Sequence, residues 1–221
     1  MKKNIINKLS ILASVITISS GANANEIKPY IGIGYQANNL DYKNVNISLD
    51  TGNTSVDSGS YFEDNLANFN LFAGFKVKDY LSFEIGYFKS KEENKSNNAT
   101  ALVWTDTLNP LTTNSESKLQ IINFDIIYNH KLDYANKFNL LALTGLSKID
   151  FDTHINYLDN GTIRLSESNY QSGYGFNLGL GLEANIYQNL SIRAVAKYIS
   201  TSSIDYFDNL INYNLGVKYQ F

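Results

Sequence analysis

The sequence predicts an all-β transmembrane fold: one eight-stranded, antiparallel up-and-down barrel behind an export segment. Three observations predict it. Apolar and polar residues alternate with period two in eight successive segments. The links between those segments alternate between short and long. Beyond the first 24 residues, no apolar run is long enough for a membrane-crossing helix.

The N-terminus reads as targeting. Lys2, Lys3 and Lys8 make a positive start, an apolar stretch runs from Leu9 to about Ile18, and Ala22-Asn23-Ala24 supplies small residues. This layout predicts a secretory signal peptide over residues 1–24, cut after Ala24. The apolar run is too short to span a hydrocarbon core of roughly 30 Å, for which a helix needs about 20 residues. Residues 25–221 are then expected to form a single barrel domain.

Composition narrows the class. The chain has 18 Lys and Arg against 21 Asp and Glu, and a net charge of −3. Loss of the three signal lysines would take that charge to −6. Such acidity argues against nucleic acid as a partner, because that needs a basic face. There is no cysteine, hence no disulfide and no cysteine to carry a lipid anchor. Sixteen Tyr, twelve Phe and only two prolines (Pro29 and Pro110) suit long strands, since proline cannot donate to a ladder.

Taken in order, the first strand sets Ile31, Ile33 and Tyr35 against Gly32, Gly34 and Gln36. The second carries Phe69, Leu71, Ala73 and Phe75 on one side. In the third, Leu81, Phe83, Ile85 and Tyr87 alternate with Ser82, Glu84 and Gly86. Ile122, Phe124, Ile126 and Tyr128 mark the fourth. The fifth, about Lys137 to Phe151, has no readable phase, because Leu140, Leu141, Ala142 and Leu143 are consecutive. The sixth sets Tyr174, Phe176, Leu178, Leu180 and Leu182 against Gly175, Asn177, Gly179, Gly181 and Glu183. Leu190, Ile192, Ala194, Ala196 and Tyr198 define the seventh, opposite Ser191, Arg193 and Lys197. The eighth separates Ile211, Tyr213, Leu215, Val217, Tyr219 and Phe221 from Asn212, Asn214, Gly216, Lys218 and Gln220. A helix would mix these sets; a strand keeps them apart.

The links at Lys78-Asp79-Tyr80, about Leu132 to Asn136, and Tyr187-Gln188-Asn189 are short. Those at about Lys43–Glu63, Lys91–Ser117 and Asp152–Tyr170 are long, and Thr201–Asp208 is intermediate. An even strand count places both ends on the short-turn, periplasmic rim.

Period two does not say which face meets lipid. One face is nearly all large and apolar; the other is Gly, Asn, Gln, Ser and charges of both signs. Tyr35, Tyr87, Tyr128, Tyr187, Tyr198 and Tyr219 sit near strand ends, as in interfacial girdles. A soluble lipocalin-type barrel with an apolar interior is the alternative. The Gly-x-Trp start of that family is missing.

The ending Tyr213-Asn214-Leu215-Gly216-Val217-Lys218-Tyr219-Gln220-Phe221 resembles the C-terminal signature of bacterial outer-membrane barrels. All eight strands together resemble the small OmpA-like transmembrane domains and opacity-type surface proteins. That resemblance implies residence in the bacterial outer membrane, in contact with its lipid. It implies that Tyr219 and Phe221 serve as an assembly signal for the barrel-assembly machinery. It also implies adhesion, or a role as a surface antigen. Unlike full-length OmpA-type proteins, the chain is not expected to carry a peptidoglycan-binding domain after its last strand.

Lys76, Glu84, Asp125, Glu183, Arg193, Lys197 and Lys218 are expected to form a luminal charge network. A three-residue turn at Tyr187–Asn189 would place Glu183 opposite Arg193, and enclosed charges of this kind must pair. They serve either to plug the barrel or to line an ion path. Eight strands leave an interior just filled by side chains, whereas porins need about 16 to 18.

Enzyme chemistry finds little support. The two histidines, His130 and His154, fall near opposite rims, and neither has the His-x-Ser arrangement of lipid A deacylases. Metal-ligand spacing is absent, and no cofactor is expected. The longest loop holds Ala101-Leu102-Val103-Trp104. Trp104 either contacts a host or partner surface or packs against its own hairpin. The expected function is a non-enzymatic barrel presenting loops for interaction, adhesion or envelope integrity. A narrow solute channel is the alternative, and a lipid-modifying enzyme comes third.

Overall fold

The computed structural model describes residues 27–49, 52–57, 61–102, 108–132, 137–159 and 161–221. The expected signal peptide, residues 1–24, and Trp104 lie outside the described residues. Eleven strands follow one another: β1 (Lys28–Tyr42), β2 (Asn44–Leu49), β3 (Gly52–Asp57), β4 (Asn65–Lys78), β5 (Leu81–Lys89), β6 (Glu93–Leu102), β7 (Leu108–Leu132), β8 (Phe138–Asp159), β9 (Thr162–Asn185), β10 (Leu190–Thr201) and β11 (Phe207–Gln220). Eight of them close a ring in the order β1-β4-β5-β7-β8-β9-β10-β11. The first and last strands seal it through an antiparallel ladder that includes Ile33 opposite Val217 and Ala37 opposite Tyr213. Each ring strand therefore has two neighbours, as a lipid-embedded sheet requires, because a backbone group in hydrocarbon finds no water.

Alternation sets the faces. On β11, Tyr213, Leu215 and Val217 point outward while Asn212, Asn214 and Lys218 are buried inside. The fifth ring strand, β8, acquires its phase: Leu140 and Leu146 face out, and Leu141 and Leu143 face in. The inward pair joins Ile127 and Val195 in a small interior apolar patch. That patch is why the sequence of this strand looked apolar on both sides.

The long links differ from the expected loops. Residues 91–117 and 152–170 are largely strand: β6 pairs with the upper half of β7, and β7, β8 and β9 continue as one sheet past the ends of β5 and β10. At the tip between β8 and β9, Gly161 takes a positive φ of 79°, which only glycine adopts without penalty. The link after β1 carries the separate hairpin β2–β3.

In this upper region the two faces exchange character. Through the lower part of the ring the outer face is apolar: Ile126 and Phe124 on β7, then Leu140 and Leu146 on β8. Above that level the outward positions become Gln120, Lys118, Lys148, Asp150 and Asp152. Inside, the order is reversed. Asn123 and Asp125 give way upward to Ile121 and Leu119, and Ser147 to Ile149 and Phe151. The lower barrel is built for lipid outside, and the crown above it is built for water outside.

Candidate functional site: the barrel interior and its two mouths

The lower interior is organised by ion pairs. Both terminal nitrogens of Arg193 (β10) reach the Glu84 carboxylate (β5) at 2.6 Å. Lys197 donates to Asp125 at 2.8 Å, and Lys218 to Glu183 at 2.6 Å. The Arg193 guanidinium also lies 3.6 Å from the centroid of the Phe72 ring. Three acids meet three bases, so this layer is neutral, and all six side chains are buried.

Glu183 and Arg193 are opposite in register, as the turn length predicts, but they are not each other's ion-pair partners. Lys76 sits apart from the other network residues, 3.6 Å from Asp79 at the short turn. Asp79 also accepts a 2.7 Å bond from Lys131. That bond, with the charges of Lys76 and Lys131, holds the Asp79 carboxyl below its usual range.

An amide layer lies above the ions. Asn212 donates to Asn38, Asn214 to Asn70, Asn177 to Ser147, and Ser147 to Asn123, at 2.7–3.0 Å. Over this layer sits an apolar plug that the sequence reading did not identify. Leu40, Leu66, Phe88, Leu119, Ile121, Ile149, Phe151, Ile199, Ile204, Phe207 and Leu210 form one buried cluster. Phe151 anchors it with edge-on rings of Phe62 at 5.9 Å, Tyr206 at 5.8 Å and Phe207 at 5.4 Å. The signal was present as Leu119, Ile121, Ile149 and Phe151 interrupting polar stretches, but without a membrane boundary these residues read as noise.

The two mouths differ. At the short-turn end, an open polar cavity of about 630 Å³ is lined by Lys76, Lys131, Lys137 and Lys218 together with Asn and Gln side chains. At the crown, His154 has Ser168 2.7 Å from Nδ1 and Ser166 3.4 Å from Nε2, with Glu116 opposite in register. The sequence offered no sign of these cross-strand serines. Both ring nitrogens are engaged by hydroxyls on an open sheet face, with neither nitrogen committed to a carboxylate. Among the described residues no group of three or more His, Cys, Asp or Glu could hold a metal ion. Tyr219 and Phe221 lie outward at the short-turn rim, ring centroids 5.3 Å apart, and the Phe221 N–H donates to the Pro29 carbonyl.

Residues 9–221 match the family model described as "Outer membrane protein beta-barrel domain". Among solved structures, Ail, the attachment invasion locus protein of Yersinia pestis, superposes with a TM-score of 0.51 at 16% identity, covering 89% of this chain and 99% of that one. Neisserial surface protein A gives 0.54 at 15% identity, covering 87% and 97%. OprG of Pseudomonas aeruginosa gives 0.57 at 14% identity, covering 88% and 95%. Ail is also seen in complex with the heparin analogue sucrose octasulfate. At these identities the likeness is one of fold. No curated protein matches the chain in sequence.

Proposed function

The chain belongs to the outer membrane protein β-barrel domain family, and from that premise we propose that it is a closed, non-enzymatic bacterial outer-membrane barrel whose work is done by its crown. The apolar plug carries this reading. It seals the lumen above a layer of paired ions and an amide layer, so side chains occupy the interior at successive heights. The protein then has a sheet of strand extensions to present outside the cell. Attachment is the role this favours, in keeping with the attachment and surface proteins that share the fold. Acidic side chains outnumber basic ones on the described crown, including Glu92, Glu93, Glu116, Asp150, Asp152 and Glu167. That balance favours a cationic or neutral contact surface over a polyanion such as the one Ail holds.

The test uses the full protein and a variant in which Asn97–Thr113 is replaced by a two-residue turn; these residues are opposite in register, so the hairpin closes one step lower. Bacteria displaying each form are scored for attachment to cultured cells, and the barrel is checked by heat-modifiable mobility. Loss of attachment with a folded barrel supports the reading. Equal attachment by both forms, or stable ion conductance by the native protein in a planar bilayer, rejects it.

A further inference from the structure

The charge pattern of the interior breaks at one place. Deep in the barrel every base has one acid: Arg193 with Glu84, Lys197 with Asp125, Lys218 with Glu183. At the short-turn mouth that balance fails. The cavity there is lined by four ammonium groups, from Lys76, Lys131, Lys137 and Lys218, and Glu183 is the one carboxylate among its described lining residues. Asp79 engages Lys76 and Lys131 from outside the cavity and is itself largely exposed. With Lys218 matched by Glu183, and Lys76 and Lys131 sharing Asp79, a surplus of two positive charges remains at this mouth among the described residues.

The remaining lining is suited to the same kind of guest. Asn139 and Asn129 line the cavity wall, the Asn129 amide donating to Ser82 and to the Ile127 carbonyl, and Lys218 lies at the same wall. At about 630 Å³ the cavity holds a small molecule or one lipid headgroup. Low-dielectric barrel walls concentrate the lysine field in the mouth, which raises its attraction for an anion above that of the same lysines on a flat surface. Flexible ammonium groups bind phosphate as point charges, without the planar fork that carboxylate recognition by arginine uses.

We propose that the short-turn mouth is a binding site for a phosphate ester, held by Lys76, Lys131, Lys137 and Lys218. One chemistry has two sources here: a soluble phosphate ester of the periplasm, and the phosphate headgroup of a lipid in the adjoining leaflet. The site is distinct from the crown and does not depend on what the crown contacts.

The experiment follows side-chain amide resonances of Asn129 and Asn139 by NMR. In one arm the protein is held in dodecyl maltoside, which carries no phosphate, and glycerol 3-phosphate is added. In the other, dodecyl maltoside micelles are prepared with or without phosphatidylglycerol. The expected result is a saturable shift in the millimolar range in the first arm. Lys131→Gln with Lys137→Gln weakens it about tenfold, as loss of two rim charges should. Lys118→Gln, on the opposite rim, leaves it unchanged. A shift on adding phosphatidylglycerol alone assigns the headgroup as a source, and a shift with the free ester alone assigns the soluble one. No saturable shift in either arm overturns the proposal. So does an affinity that the double variant leaves intact, or one that Lys118→Gln lowers equally.

Discussion

Arg193 stands opposite Glu183 in the strand register, yet it gives both terminal nitrogens to Glu84 on the far wall of the barrel. In the ring, β10 and β5 are four strands apart in either direction, so the pair spans the lumen. Inward side chains of a narrow barrel converge on its axis, where a long guanidinium meets the opposite wall. Glu183 is thereby left to Lys218, two strands away.

Removing one end of this strut should be costly. Arg193→Ala leaves Glu84 buried without its partner, and a loss of about 3–5 kcal/mol is expected. Replacing both ends, Arg193→Met with Glu84→Leu, should recover much of that loss, since no charge is then stranded. Urea unfolding from vesicles measures both, and a double variant no more stable than Arg193→Ala would contradict this account.

Two barriers in series should govern conductance. The ion layer and the plug around Phe151 lie at different heights, so Arg193→Ala alone should stay silent in a planar bilayer. Phe151→Ala alone should also stay silent, while costing about 3–5 kcal/mol of stability. Openings are expected only when both changes are combined. Stable openings from either single variant would show that one layer is the whole seal.

Gly32 should not tolerate a methyl group. An added Cβ there would overlap the Phe72 ring and come within 2.6 Å of the Val217 carbonyl oxygen. Phe72 lies against the Arg193 guanidinium, so displacing the ring disturbs the ion pair too. Gly32→Ala is expected to cost about 1–3 kcal/mol. An unchanged unfolding midpoint would mean that the neighbouring strands yield freely.

The short turn should respond to acid. The Asp79 carboxyl is held below its ordinary value of 3.8 first by the Lys131 hydrogen bond and then by the nearby lysine charges. A depressed carboxylate contributes stability that is present above its unfolded pKa and lost as pH falls through the folded one. Native protein should therefore exceed Asp79→Asn in stability at neutral pH by a small margin, as for other exposed pairs. That margin should shrink as the pH is lowered below the ordinary carboxylate range and through the depressed folded value. An equal difference at neutral and at acid pH in urea titrations would assign the effect to something other than charge.

The ring of eight strands was legible because alternation is a local signal that survives folding, and because the short turns fall where their length placed them. Outward tyrosines such as Tyr35 and Tyr213, and inward Asn214, needed no tertiary information. The phase of β8 was not legible, because Leu141 and Leu143 face inward onto Ile127 and Val195, contacts made by other strands. The partners of the luminal charges were hidden for a related reason. Register predicts neighbours on the wall, whereas Arg193, Lys197 and Lys218 find acids by reaching across or skipping strands.

The crown was missed as strand because its pattern changes sign. Lys118 and Asp152 facing outward, with Leu119 and Phe151 facing inward, look like a break in alternation when one face is assumed apolar throughout. The backbone continues without a break; only the solvent differs.

That exchange of faces fixes how deep the protein sits. To sink, the barrel would have to drag Lys118, Lys148 and Asp150 into hydrocarbon; to rise, it would expose Phe124 and Leu146 to water. Both moves cost energy, so the chain carries its own depth gauge. In a thicker or thinner membrane the lipid has to deform around the protein, since the protein has no freedom to slide and relieve the mismatch.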